Sequence, residues 1–351
     1  MPTKGYHSYR GKGGGGKGAL TVLLCLILLA AVGFLVVQRY AVYEADGGVR
    51  FDLPWRKEPT QPEPPKENAP DEAPDGLEII VEQPPKEEKR ELHAQELDQS
   101  VLRGSAAPTL SALPDEINAV AVRVKNEAGE LLYDSSLTEA VEAGAVRGGS
   151  ISRAAIADLT GSDYYTIARI NALHDSIYSF AHMSDAAVLQ RQHPGYIWYA
   201  PDSTFYLAPE KPAARQYIAA IARECAELGF RELLFDGFGY PSAGRLSNID
   251  DSTRGMTMQE ALDALAAELR ESVSEYDVKL SVLLDAETVL AGGDERTGQS
   301  LAALAERFDR IYVPTDAEQL PALRTAMEPY DAELVPIMDA APDEGSYLLG
   351  A

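Results

Sequence analysis

The sequence predicts an α/β fold, a TIM-type (β/α) barrel, over residues 91–351. Three observations predict it. From about Glu91 onward, short apolar segments alternate with longer amphipathic ones, the pattern of parallel strands joined by helical crossovers. About seven strands are visible and Tyr347–Leu349 is a candidate eighth, a count that suits a (β/α) barrel better than an open doubly wound sheet. The composition, 45% hydrophobic and 25% charged over 351 residues, allows a sizeable buried core.

The strands are read as 92–97 (LHAQEL, the weakest), 118–124 (NAVAVRV), 164–170 (YYTIARI), 232–236 (ELLFD), 278–285 (VKLSVLLD), 310–314 (RIYVP) and 333–338 (ELVPIM). A helix over 212–228 lines up Tyr217, Ile218, Ile221 and Cys225 on one stripe, with Gly229 as its C-terminal stop. A second, over 257–276, does the same with Ala261, Leu262, Leu265 and Leu269. Shorter helices fall at 300–308 and 318–327. Too few residues separate the seventh strand from Tyr347 for a full helix. The spacing therefore predicts a barrel that closes poorly or is incomplete at the C-terminus.

The segments before the barrel follow a different logic. Residues 19–37 (ALTVLLCLILLAAVGFLVV) carry no charge, and at about 1.5 Å per residue they just cross a hydrocarbon core of about 30 Å. A cleaved signal peptide is the alternative. The run exceeds the usual apolar region of a signal peptide, however, and no compact A-x-A site follows it. Cys25 sits within the run rather than after it, which excludes a lipoprotein anchor. Residues 1–18 hold Lys4, Arg10, Lys12 and Lys17 and no acid, so this basic tail is expected in the cytoplasm and everything after the apolar run outside. Residues 38–90 read as a linker, which from Leu53 on is rich in Pro, Glu and Lys and poor in aromatics, a composition that cannot bury enough surface to fold. The expected organisation is a tail (1–18), a transmembrane signal anchor (19–37), a stalk (38–90) and an extracytoplasmic barrel (91–351).

Charge and motifs exclude several functions. The net charge of -24 argues against nucleic acid, whose phosphates need concentrated Lys and Arg. The two cysteines, Cys25 and Cys225, form neither a disulfide framework nor a zinc spacing. Gly11 to Gly18 lacks the strand and helix context of a phosphate loop, and no G-x-S-x-G or dinucleotide fingerprint occurs in the barrel; no cofactor is expected. His174, His182 and His193 are not spaced as a metal-binding H-E-x-x-H and read as solvated or structural.

In such barrels the chemistry lies at the C-terminal strand ends. Alternation in the fourth strand sends Leu234 and Asp236 inward and Leu233 and Phe235 outward. In the fifth, Leu280, Val282 and Leu284 face out and Asp285 faces in, with Glu287 two residues on. Arg169, with Asn171 above it, and Arg123 point inward from the third and second strands. The expected catalytic set is Asp236 with Asp285 or Glu287. Glycoside hydrolysis needs two carboxyl groups flanking one bond, and Arg169 beside Asp236 would keep a nucleophile ionised. Acids at strand ends also cap helices or bind arginine structurally, and that reading stands beside the catalytic one. Tyr196, Trp198, Tyr199, Phe205 and Tyr206 gather in the loop after the third strand, where aromatic faces suit sugar rings or simply pack the loop. Tyr240 lies in the loop after Asp236.

Three segments carry a family resemblance: NAVAVRVKNEAGELLYDS, YYTIARINALHD and ARQYIAAIARECAELGFRELLFDGFGYPSAG. Over about Leu92 to Met338 the chain resembles the putative glycoside hydrolase barrel domains of bacterial surface proteins, related to the alpha-amylase-type clan. The resemblance implies an exported barrel that acts on a cell-wall or environmental polysaccharide. Asp236, Arg169 and Asp175 match the family pattern. Arg123 and Asn126 stand where it has aspartates, Gly239 replaces an arginine, and Ala208 occupies an aspartate position. Two functions follow: a membrane-anchored glycoside hydrolase, with Asp236, Asp285 and Glu287 catalytic and Arg169, Asn171, Asp175, Trp198 and Tyr240 binding substrate; or a catalytically degenerate barrel that binds glycan or protein, with Asp236 locked to Arg123 or Arg169 and no second acid in reach.

Overall fold

The computed structural model describes residues 41–43, 49–51, 91–146, 153–252 and 254–350. The predicted tail and apolar run, and most of the linker, lie outside the described residues. Among the described residues no helix is long and apolar enough to cross a membrane. The chain divides into two units, Met1–Pro84 and Pro85–Ala351. In the first, Ala41–Tyr43 pairs antiparallel with Val49–Phe51, Ala41 opposite Phe51.

The second unit is a closed barrel of eight parallel strands. They are β1 (His93–Leu97), β2 (Ala119–Lys125), β3 (Tyr165–Asn171), β4 (Glu232–Asp236), β5 (Lys279–Leu283), β6 (Arg310–Pro314), β7 (Glu333–Met338) and β8 (Tyr347–Leu349). The expected incompleteness at the C-terminus is corrected. β8 is only three residues long, yet it pairs with β7 through Ile337–Leu348 and with β1 through Tyr347–His93. A crossover between parallel strands needs length, not a helix, and residues 339–346 supply it through a series of bends.

Helices α1 (Arg153–Thr160), α2 (Pro212–Glu227), α3 (Met258–Ser272), α4 (Leu301–Arg307) and α5 (Leu320–Met327) are the main crossovers. α2 starts with Pro212 at its first turn, where a missing N–H costs nothing. Its buried stripe includes Tyr217, Ile218, Ile221 and Cys225, and Gly229 follows it at φ +95°. α3 begins at a capping box: Thr257 accepts from the Glu260 amide while the Glu260 carboxylate accepts from the Thr257 amide.

Strand alternation builds two cores. Leu233 and Phe235 of β4, with Val120, Val122, Ala168, Ile170, Leu280, Val282, Ile311 and Val313, pack outward against the helices. Leu92, Ala94, Ala119, Ala121, Ile167, Leu234, Tyr312, Val335, Ile337 and Leu348 fill the barrel interior. Beside Tyr312, a polar group closes the N-terminal end. Glu232, fully buried, accepts from Ser281 Oγ (2.5 Å) and Tyr312 Oη (2.8 Å) and pairs with Arg310, which also bonds Glu333 at 3.0 Å. Each buried charge there is paired and hydrogen-bonded, as a low-dielectric interior demands. Burial and the neighbouring Glu232 push the Tyr312 phenol well up.

Candidate functional site at the barrel mouth

The inward ladders that begin with apolar residues end in charge. On β1 the sequence Leu92, Ala94 leads to Glu96; on β2 Ala119, Ala121 leads to Arg123; on β3 Ile167 leads to Arg169; on β4 Leu234 leads to Asp236. All four charged residues meet at the C-terminal end. Asp236 Oδ2 accepts from Arg123 Nη1 at 2.9 Å and from Arg169 Nε at 2.8 Å. Arg169 Nη1 donates to Glu96 Oε2 at 2.6 Å. Arg123 also lies 3.9 Å from Glu127. Asp236 is only 5% exposed, and its Oδ1 is buried without a hydrogen-bond partner. Two guanidiniums thus converge on one oxygen of one carboxylate, and their planar donors fix where it points.

Glu96 was not among the expected residues, although the alternation of Leu92 and Ala94 carries its direction. It shares Arg169 with Asp236. The two contacts and the guanidinium between them put the carboxylate oxygens no more than about 8 Å apart, within the range that glycoside hydrolysis uses.

A cavity of about 420 Å³ opens beside this cluster, lined among others by Glu96, Asp98, Gln99, Arg123, Asn126 and Gly350. Asp236 does not line it. Asp98 points its Oδ1 at the Ser100 amide, 2.8 Å away, and those bonds hold its carboxyl below the usual range. Asn126 is engaged in its own turn, accepting from the Ala128 and Glu130 amides.

The other expected site residues are dispersed. Asp285 is exposed at the start of the helix Ala286–Ala291, where a carboxylate suits the helix dipole, and Glu287 is exposed in its first turn. Among the described residues no hydrogen bond or ion pair ties either to Asp236. Asn171 is buried; its Oδ1 accepts from the His174 amide at 3.1 Å and its carbonyl from Lys125 Nζ at 2.9 Å. Gly237, at φ +58°, follows Asp236, and a Cβ there would lie 2.7 Å from Asn171 Oδ1. Asp175 is fully buried: Oδ2 pairs with Lys125 Nζ at 2.9 Å and Oδ1 caps a short helix through the Tyr178 amide at 2.8 Å. It has no surface open to a substrate, so its place in the substrate-binding set is corrected to a structural one. The register of β2 shifts between Arg123 and Lys125, a bulge that breaks the alternation and turns Lys125 toward Asp175.

Trp198 is 1% exposed and packs with Val188, Ala200 and Ala208, its Nε1 donating to the Arg245 carbonyl at 3.1 Å. Ala208 thus contributes to an apolar cluster. Tyr240 is buried beneath Arg254, its hydroxyl donating to Glu210 Oε2 at 2.5 Å; burial and Glu210 push the phenol up. Gly239 has its own local reason. A Cβ there would lie 3.1 Å from Gln299 Nε2, which donates to the Phe238 carbonyl at 2.9 Å. His174 stacks on Tyr206 at 4.4 Å, and burial lowers its pKa.

No curated protein matches the chain. Among solved structures, a hypothetical protein from Ruminiclostridium thermocellum ATCC 27405 is 23% identical, with a TM-score of 0.47 over 54% of this chain and 96% of that one. The PgaB (BpsB) glycoside hydrolase domain from Bordetella bronchiseptica is 16% identical, with a TM-score of 0.48 over 70% of this chain and 83% of that one. An exo-β-N-acetylglucosaminidase from Vibrio harveyi is 14% identical, with a TM-score of 0.47 over 71% of this chain and 41% of that one. A family described as "Putative glycosyl hydrolase domain" matches residues 110–314. That span is more than half of the chain and includes Arg123, Arg169 and Asp236, and the chain belongs to that family.

Proposed function

We propose that this glycosyl hydrolase-like barrel binds glycan at its mouth without hydrolysing it. One observation carries the reading. Asp236 Oδ2 accepts from both Arg123 and Arg169, and Asp236 stands back from the cavity that a sugar would enter. A nucleophile or base needs a lone pair free to meet the substrate. Here the guanidiniums occupy one oxygen and burial withholds the other. Arg123, the residue that replaces an aspartate of the resembled pattern, supplies half of the clamp and lines the cavity. It is well placed to donate to sugar hydroxyls.

A second reading rests on Glu96. Glu96 shares Arg169 with Asp236 and stands at the cavity wall, where the guanidinium holds its carboxylate ionised, as a nucleophile or base requires. Incubation with a panel of cell-wall and plant polysaccharides separates the two. Binding without new reducing ends supports the first; turnover abolished by Glu96→Gln supports the second.

The location belongs to the same proposal. We infer that residues 19–37 anchor the chain in a membrane and that residues 38–90 space the barrel from it on the extracytoplasmic side. The uncharged run and the basic tail before it support this.

A further inference from the structure

A second cavity, of about 410 Å³, lies between the long β3–α2 connection and the β4–α3 loop. It shares no lining residue with the cavity beside Arg123. Its walls include Gln190, Gln192, Trp198, Tyr199, Arg245 and Asn248. The two loops are laced together. The Arg191 amide donates to the Asn248 carbonyl (2.7 Å), the Gln192 amide to Asn248 Oδ1 (3.0 Å), and the Asp250 amide to the Leu189 carbonyl (2.9 Å). Gln190 Nε2 donates to the Ile197 carbonyl (2.9 Å), and Gln190 Oε1 accepts from Asn248 Nδ2 (3.2 Å). These bonds fix both amides while leaving Asn248 Nδ2 a second hydrogen and Gln190 Oε1 a second lone pair. The floor is equally set. Gly244, at φ +96°, lets the chain approach Trp198 so closely that a Cβ would meet Pro201 Cδ at 3.1 Å and Trp198 Cζ2 at 3.4 Å.

Against this rigid rim Tyr199 is 58% exposed. Among the lining residues it is the large exposed ring, since Trp198 is buried. The polar lining is mainly amide, with one guanidinium and one imidazole (His193) and no carboxylate. Asp250 and Asp251 are nearby but engaged: Asp250 caps Ser252, and Asp251 pairs with Arg191. An aromatic platform beside fixed amides matches a pyranose, whose C–H face is apolar and whose rim carries hydroxyls that both donate and accept. The chain's charge of -24 disfavours a polyanion. We propose that this cavity is a second glycan site, taking a neutral pyranose with its face on Tyr199 and its hydroxyls on Gln190, Gln192 and Asn248. The site does not depend on whether the mouth binds or cleaves.

The test uses the full chain in detergent with neutral hexasaccharides of glucose, N-acetylglucosamine and xylose, followed by calorimetry and by tryptophan fluorescence. The chain has two tryptophans, Trp55 and Trp198, and Trp198 stands in the wall of the cavity. At least one hexasaccharide is expected to bind and to change a fluorescence signal that Trp198→Phe removes. Tyr199→Ala should weaken that binding by about tenfold, and Tyr199→Phe should preserve it. Phe180→Ala, at an exposed aromatic that lines neither cavity, should leave it unchanged. Failure of all three hexasaccharides to bind, or binding that survives Tyr199→Ala but is lost in Arg123→Met, overturns the second site. The latter result would leave the mouth reading intact, so the two proposals fail separately.

Discussion

Arg123 on β2 reaches past β3 to Asp236 on β4, placing Nη1 2.9 Å from Oδ2, the same oxygen that Arg169 Nε contacts at 2.8 Å. The carboxylate is nearly buried, so its removal leaves two guanidiniums facing each other without their shared counter-charge. Asp236→Asn should therefore destabilise the barrel by roughly 3 kcal/mol, measured by urea unfolding. Arg123→Met should cost less, because Arg169 still holds the carboxylate. An unchanged unfolding midpoint in Asp236→Asn would contradict the clamp.

The buried pair of Lys125 and Asp175 should behave as a closed unit. Both side chains are inaccessible to solvent. Lys125→Met leaves Asp175 buried and uncompensated, and should cost about 3–5 kcal/mol. Adding Asp175→Asn should recover part of that loss, and a double-mutant cycle should return a coupling of more than about 1 kcal/mol. Additive effects would show that the two residues do not act together.

Much of this architecture is legible in the sequence, and the departures have physical causes. Segments 232–236, 310–314 and 333–338 coincide with β4, β6 and β7 because largely buried strands read as short apolar runs between polar segments. The inward direction of Leu234 and Asp236 follows from alternation alone. The degenerate reading expects Asp236 locked to Arg123 or Arg169 with no second acid in reach; both arginines contact it, but Glu96 shares Arg169 with it. Lys125 is hidden from a period-two reading because a bulge intervenes after Arg123. Closure of the barrel was obscured by β8, whose three residues carry almost no periodic signal. Loop side chains such as Tyr240 and Trp198 find their partners, Glu210 and the Arg245 carbonyl, through long-range folding that local spacing does not encode.

Acid should weaken the fold through Glu224 on α2. Burial alone would raise its pKa, but donors from Ser135, Ser136 and Tyr133 outweigh it and hold the carboxyl below its ordinary 4.5. A pKa depressed in the folded state gives stability that is present above about pH 4.5 and is lost as pH falls through the folded value. Glu224→Gln replaces one acceptor oxygen with a donor and should cost about 1–3 kcal/mol at pH 7. The gap between the variant and the parent should narrow by pH 3. Urea midpoints at the two pH values test it, and a gap that stays constant would refute it.

Orientation is testable on whole cells. Protease added outside should remove residues 91–351 and leave a small membrane-bound stub. Full protection on cells with an accessible surface would reverse the proposed topology, and release of a form beginning after Val37 would favour signal cleavage.

The central claim is that the Asp236 carboxylate is a structural anion in a glycan-binding mouth. The most direct measurement follows reducing ends by mass spectrometry in polysaccharide panels incubated with the parent chain and with Asp236→Asn, alongside the melting temperature of each. The clamp predicts binding with no new reducing ends in either protein, and a lower melting temperature in Asp236→Asn. Reducing ends that appear with the parent and vanish in Asp236→Asn at an unchanged melting temperature would contradict it.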